Sequence, residues 1–218
     1  MITIDRQQKL FLNISSALKK KVTAYAVGGT AMMFLGMKDA TLDIDLVFEN
    51  ERDRNMFKDA IKTLGYREMK TSAVYGAKQN HPEMLTLNDE RFDLFVVEVI
   101  DFIFSESMQK RAEDTHQFGD TLILKIADPH DLIIMKCATD RVKDKDDARN
   151  IITSRKIRWE ILIGEAKEQI GLGKARAAFD LGEFLEELRN KLGVDIPQKV
   201  LDELFEIVKI QAKEKQKR

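Results

Sequence analysis

The stretch TLDIDLVFE, residues 41–49, alternates between polar and apolar side chains. Because successive side chains of a strand point to opposite faces, this alternation predicts a β-strand with Asp43 and Asp45 on one face. The opposite face is expected to pack onto a core through its apolar residues Leu42, Ile44 and Leu46. The strand therefore presents two carboxylates, about 7 Å apart, to solvent or to a ligand.

A third aspartate interrupts the most β-prone stretch of the chain, RFDLFVVEVI at residues 91–100. Aspartate is disfavoured inside strands, so Asp93 is best explained if this strand lies beside the first and turns Asp93 to the same face. Three converging carboxylates suit Mg²⁺ or Mn²⁺, which take oxygen ligands and leave positions open for phosphate. The alternative is that Asp43 and Asp45 are the charged, solvent-exposed face of an edge strand.

A pair of glycines precedes the first acidic strand. Gly28-Gly29-Thr30 lies where an apolar strand over residues 23–27 is predicted to give way to an apolar helix from Thr30 to about Met37. Glycines allow close approach of the backbone to a phosphate, and a helix N-terminus offers free N–H groups. The stretch is not a Walker loop, because no Gly-Lys-Ser/Thr follows it. Taken alone, the pair is equally well explained as a tight turn.

The combination of these features resembles the signature of the nucleotidyltransferase fold superfamily, with Thr41 following Gly28 by 13 residues and Asp93 further along. The chain looks most similar to the abortive-infection toxin type (AbiEii-like) and related uncharacterised bacterial and archaeal nucleotidyltransferases. Aminoglycoside and lincosamide nucleotidyltransferases share the same first motifs, the glycine pair followed by the two aspartates. The resemblance implies that Asp43, Asp45 and Asp93 bind the metal. It also implies that Gly28, Gly29 and Thr30 contact the triphosphate of an NTP substrate.

The resemblance extends into IMKCATDRVKDKDDARNII, residues 134–152, where the family has a lysine followed by an arginine and a run of basic and acidic residues. On one helix, Lys136, Lys143 and Asp147 would share a narrow sector. The resemblance implies that Lys136 has a catalytic, phosphate-binding role and that nucleotide binding also involves Arg141, Asp144 and Asp147. The alternative is a solvated helix face laced with ion pairs.

Periodicity along the chain predicts two parts. Residues 1–127 mix strands and helices, which favours an α/β (α+β) domain with a nucleotidyltransferase-type mixed sheet flanked by helices. Residues 128–218 have helical periodicity, with breaks near Gly171–Gly173 and Gly193–Pro197. Helices are expected over residues 5–20 and within RNMFKDAIKTLGY, which begins at residue 54, with the second helix ending at Gly65. Strands are expected near residues 66–75, 83–87, 91–100 and 121–127.

Composition excludes several classes of site. The 218 residues include 36 basic and 37 acidic residues, a net charge of −1, so overall charge indicates no nucleic-acid partner. A single cysteine excludes an intramolecular disulfide, and three scattered histidines argue against a Cys/His zinc site. The N-terminus lacks a secretory signal pattern and no apolar run is long enough to span a bilayer, so a cytoplasmic protein without membrane association is expected.

The sequence therefore predicts a metal-dependent nucleotidyltransferase that moves a nucleoside monophosphate from an NTP to a hydroxyl on RNA, protein or a small molecule. The toxin-type resemblance implies tRNA or a protein as the acceptor and a cognate antitoxin as a partner. The alternative function is a non-catalytic, nucleotidyltransferase-like binding or regulatory scaffold that keeps the fold.

Overall fold

The computed structural model describes residues 1–70, 80–139 and 141–216. The chain divides into two compact units, Met1–Asp128 and Pro129–Arg218. Part of the strand predicted over 66–75 lies outside the described residues, as does Asp140.

The first unit is built on a mixed β-sheet. Its strands are β1 Ile2–Thr3, β2 Val22–Ala26, β3 Ala40–Thr41, β4 Ile44–Phe48, β5 Arg67–Met69, β6 Glu83–Leu87, β7 Glu90–Val96, β8 Glu98–Val99, β9 Phe102–Ile103, β10 Thr115–Phe118 and β11 Leu122–Ile126. The main sheet has the order β10-β11-β2-β4-β7-β6-β5, with β8 and β9 extending from β7, while β1 and β3 form a separate antiparallel pair. The pairs β11/β2 and β4/β7 are parallel, and the other neighbours are antiparallel.

Four helices of the first unit are described: α1 Ile4–Ala17, α2 Gly28–Phe34, α3 Glu51–Thr63 and α4 Glu106–Arg111. Helices α1 and α3 contact each other and both contact strands of the main sheet. Asn50 caps α3, since its side-chain oxygen accepts a hydrogen bond of 2.9 Å from the Asp53 N–H. Helix α2 follows β2 directly and contacts β4.

The aromatic core decides which face of the sheet carries the carboxylates. Phe57 of α3 lies between Phe48 and Phe92 of the sheet, with ring centroids 5.4 and 5.9 Å away, and all three are fully buried. Each full burial of a large apolar side chain contributes about 1.5–3 kcal/mol. Phe92 faces the core. Because successive side chains of a strand point to opposite faces, Asp93 lies on the other face of the sheet.

The strand predicted over residues 41–49 is interrupted. Residues 42 and 43 form a bend between β3 and β4, and Leu42 is 56% exposed, so the expectation that Leu42 faces the core is wrong. The physical reason is a change of partner: Thr41 pairs with Ile2 in the small sheet, whereas β4 pairs with β2 and β7 in the main sheet. Asp43 therefore precedes the strand that carries Asp45.

The second unit is helical. Its helices are α5 Pro129–Cys137, α6 Val142–Ser154, α7 Trp159–Gly171, α8 Ala177–Leu192 and α9 Gln198–Gln216. Helix α8 contacts the other four, and Gly193 ends it with φ +65°, a left-handed conformation that glycine adopts without strain. The expectation that Lys136, Lys143 and Asp147 lie on one helix is wrong, because α5 ends at Cys137 and α6 begins at Val142.

The predicted fold class is confirmed: an α+β part with a mixed sheet flanked by helices precedes a helical C-terminal part. None of the described helices combines the length and the apolar character required for a membrane span.

Candidate active site

Three carboxylates meet on one face of the main sheet. Strands β4 and β7 are parallel neighbours in a register that places Asp45 level with Asp93. Asp43 joins them from the bend before β4, and one carboxylate oxygen from each residue lies within 4.8 Å of the others. Asp93 is fully buried, whereas Asp43 and Asp45 are half-buried, so the cluster has a closed side and an open side.

The two glycines make room for this cluster. A Cβ atom added to Gly28 would lie 2.5 Å from Oδ2 of Asp45, and one added to Gly29 would lie 2.5 Å from Oγ1 of Thr41. Real Cβ atoms do not approach other atoms so closely, so any larger residue would displace these neighbours. Gly28 also has φ +56°, which L-residues with a side chain rarely adopt. Gly28 is therefore required by the packing of Asp45, and Gly29 by the packing of Thr41.

Two threonines support the carboxylates. Thr30 is fully buried, and its Oγ1 accepts a hydrogen bond of 3.0 Å from the Asp45 N–H. The hydroxyl of Thr41 donates to Oδ1 of Asp43 over 3.3 Å. In the structure these hydroxyls orient the chain around the cluster. A contact of Thr30 with triphosphate stays a prediction.

We expect Gly28→Ala to be more destabilising than Gly36→Ala, and the comparison isolates the contact with Asp45. Both glycines have positive φ, +56° and +69°, but nothing lies within 4 Å of a Cβ at Gly36. The left-handed conformation alone costs about 1–2 kcal/mol. Displacing the Asp45 carboxylate is expected to add about 1–3 kcal/mol to the cost at Gly28.

Urea denaturation followed by circular dichroism measures both losses. Equal losses for the two variants would show that the Asp45 carboxylate moves aside without cost.

Arg91 is part of the cluster and was missed by the sequence analysis. Its Nε and Nη2 donate to the two carboxylate oxygens of Asp93 over 2.8 and 3.1 Å, and Nη2 also donates to Asp43. Its position in the sequence could have identified it, because a residue two positions before Asp93 in the same strand lies on the same face of the sheet. The guanidinium brings a positive charge into contact with two of the three carboxylates.

A neighbouring ion pair fixes the start of β7. Glu90 accepts hydrogen bonds from the guanidinium of Arg6 and from the hydroxyl of Tyr66. The Arg6 hydrogen bond is the main cause that lowers the pKa of Glu90, while burial raises the pKa of Tyr66. Helix α1 is thereby tied to the strand that carries Arg91 and Asp93.

The second unit contains a buried ion network formed by the residues of the downstream motif. The ammonium of Lys136 on α5 donates to Asp144 over 2.6 Å and to Asp147 over 2.7 Å, both on α6. Asp144 also accepts hydrogen bonds from Thr139 and, over 2.7 Å, from Arg141. Burial lowers the pKa of Lys136, but the two carboxylates outweigh it and raise that pKa above its ordinary value. Lys143, in contrast, is exposed.

Among the residues predicted to form the site, the structure thus brings together Asp43, Asp45 and Asp93 with the glycine pair, all in the first unit. It brings together Lys136, Arg141, Asp144 and Asp147 in the second unit. The catalytic and nucleotide-binding roles of these residues remain predictions.

Comparison with known proteins places the chain in a family. No curated protein sequence is significantly similar to it. Among solved structures, it is similar to the crystal structure of ANT(2″)-Ia in complex with adenylyl-2″-tobramycin. That similarity covers 83% of this chain and 98% of that chain, with 18% sequence identity and a TM-score of 0.46. A family model matches residues 2–171, well over half of the chain. The chain therefore belongs to the family described as nucleotidyltransferase of unknown function, DUF6036.

Proposed function

We propose that the chain is a metal-dependent nucleotidyltransferase that transfers a nucleoside monophosphate from an NTP to an acceptor hydroxyl. The convergence of Asp43, Asp45 and Asp93 on one face of the sheet is the observation that carries this proposal. Family membership supplies the reaction class.

The cluster fits a divalent metal ion. All three residues offer carboxylate oxygens, the ligands that Mg²⁺ and Mn²⁺ prefer. One carboxylate oxygen from each residue lies within 4.8 Å of the others, so the three residues are close enough to hold one ion between them. A bound ion would neutralise charge on the α-phosphate and on the leaving pyrophosphate.

The remaining chemistry is assigned to the chain's own groups. The acceptor oxygen forms a bond to the α-phosphorus, the bond from that phosphorus to the bridging oxygen breaks, and pyrophosphate leaves with the electron pair. Asp93 takes the proton of the acceptor hydroxyl on a carboxylate oxygen. Gly28, Gly29 and Thr30 lie along the triphosphate. The nucleotide-binding role of Lys136, Arg141, Asp144 and Asp147, which form the ion network of the second unit, is proposed from the family resemblance alone.

The acceptor is proposed from the toxin-type resemblance. An AbiEii-like role favours tRNA or a protein as the acceptor, and a cognate antitoxin as a partner of the chain. Small molecules form the remaining acceptor class.

One observation favours the alternative function, a non-catalytic scaffold. Arg91 already bonds to Asp43 and Asp93, so the cluster is partly neutralised by the protein itself. A scaffold would bind NTP or a partner without turnover, and a transfer assay separates the two functions.

We expect the purified protein to transfer label from an α-³²P-labelled NTP to an acceptor in total RNA or cell lysate when Mg²⁺ is present. Each NTP is tested in turn, and electrophoresis after nuclease or protease treatment identifies the acceptor. Chelation with EDTA is expected to abolish the label because it removes the metal ion, and Asp45→Ala is expected to do so because it removes one of the three proposed ligands.

Label that persists in the Asp45→Ala variant would point to a contaminating enzyme. No label with any NTP, together with no rise in melting temperature when Mg²⁺ and NTP are added, would support the scaffold instead.

A further inference from the structure

Arg91 forms hydrogen bonds with two of the three carboxylates of the acidic cluster, those of Asp43 and Asp93. The guanidinium forms a two-pronged contact with Asp93 and a third contact with Asp43. Charge-assisted, bidentate pairs of this kind are among the strongest polar contacts in proteins. The Asp93 side chain is completely buried, whereas the Arg91 side chain keeps 22% of its surface exposed. The arginine therefore reaches the buried carboxylate from the open side.

The same carboxylates cannot serve the guanidinium and a divalent ion equally well. The oxygens that Arg91 contacts include both oxygens of Asp93, so a metal ion on Asp93 has to share or displace these hydrogen bonds. A guanidinium and a divalent ion on one carboxylate pair also repel each other, and the repulsion is stronger in a partly buried site than in water.

We propose that Arg91 is the resident counter-cation of the acidic cluster and that it competes with divalent metal for Asp43 and Asp93. This inference rests on the proposed function, because it assumes that the cluster is a metal site. Arg91 stabilises the metal-free protein by neutralising carboxylates that would otherwise repel each other. It releases Asp43, and at least one oxygen of Asp93, when the metal binds. Its partly exposed side chain leaves room for that movement.

Removing the guanidinium is therefore expected to strengthen metal binding. Titration of the full-length protein with Mn²⁺ alone, without nucleotide, measures the dissociation constant by calorimetry. We expect Arg91→Met to bind Mn²⁺ about tenfold more tightly than the wild type, since charged hydrogen bonds no longer have to be broken. The metal-free variant is expected to melt at a lower temperature than the wild type, and Mn²⁺ is expected to raise its melting temperature by more.

Arg54→Met is the matched control. Arg54 is also a largely buried arginine of the first unit, with 16% of its side chain exposed, and it pairs with Glu83 over 3.1 Å outside the cluster. Its loss is expected to lower the melting temperature while leaving the Mn²⁺ dissociation constant unchanged. Arg91→Lys, which keeps the charge but lacks the two-pronged contact, is expected to bind Mn²⁺ more tightly than the wild type by a smaller factor.

The outcomes separate the two proposals. If the wild type binds Mn²⁺ and Arg91→Met binds it no more tightly, Arg91 is a structural brace and the competition is wrong, while the metal site stands. If neither protein binds Mn²⁺, both the competition and the metal dependence of the proposed function are wrong. If Arg91→Met does not fold, Arg91→Lys decides, and a dissociation constant equal to that of the wild type overturns the competition.

Discussion

The Lys136→Met variant is expected to lose about 3–5 kcal/mol of unfolding free energy, because removing one partner of a buried ion network leaves an uncompensated buried charge. The Asp144 side chain is 1% exposed and the Asp147 side chain 10%, and both accept hydrogen bonds from the Lys136 ammonium. Methionine fills a similar volume but offers no donor. Urea denaturation followed by circular dichroism measures the loss.

Lys145→Met is the matched control for this prediction. Lys145 lies on α6 and pairs with Glu187 of α8 over 2.9 Å, but neither carboxylate nor ammonium is as deeply buried. Its loss is expected to cost no more than about 1 kcal/mol. Adding Asp144→Asn and Asp147→Asn to Lys136→Met is expected to recover part of the stability, since the unpaired charges are then gone. Equal losses for the two lysine variants would contradict the buried-network interpretation.

The stability that the ion network contributes is expected to fall as the pH is lowered. Burial raises the pKa of Asp144, but the charge and hydrogen bond of Lys136 dominate and leave that pKa below its ordinary value of 3.8. Asp144 therefore contributes stability at pH values above 3.8, and this contribution is lost as the pH falls through its lowered pKa. In the Lys136→Met variant, the main cause that lowers the pKa of Asp144 is absent. The difference between wild type and Lys136→Met is thus expected to shrink as the pH is lowered.

The convergence of Asp45 and Asp93 could be predicted from the sequence for a physical reason. Each aspartate has apolar neighbours on both sides in a β-prone stretch, so burying those neighbours forces the carboxylate onto the opposite face. Phe92 is fully buried against Phe57, and Asp93 follows from it by alternation. Local pattern was sufficient here because packing the apolar residues against the core and turning both aspartates to the opposite face require the same register.

Other features depended on contacts that no local pattern contains. The bend at Leu42 follows from the pairing of Thr41 with Ile2, residues that are far apart in the sequence. The break after Cys137 lets the Lys136 ammonium meet carboxylates of the next helix, whereas the periodicity of the whole segment favoured one continuous helix. Arg91 could have been found by its position two residues before Asp93, but spacing alone does not show that a long side chain folds back onto a neighbouring carboxylate.

Asp93→Asn is expected to reduce nucleotidyl transfer by about 10²–10³-fold, the range typical for removing one pre-organised electrostatic group from an active site. The substitution keeps the shape of the side chain but removes its charge, so a metal ligand and the proposed proton acceptor are lost together. Because Asp93 is fully buried, water does not readily replace its carboxylate. Steady-state transfer of labelled nucleoside monophosphate measures the effect, with far-UV circular dichroism as the check on folding.

Asp89→Asn is the matched control for Asp93→Asn. Asp89 is exposed in the turn between β6 and β7, so it carries the same chemical change on the same hairpin without belonging to the cluster. Its transfer rate is expected to stay within about twofold of the wild type, as for most surface substitutions. A transfer rate for Asp93→Asn as high as that of Asp89→Asn would mean that the three converging carboxylates are not the catalytic centre. The acidic face would then have to serve binding, with Arg91 as its permanent partner.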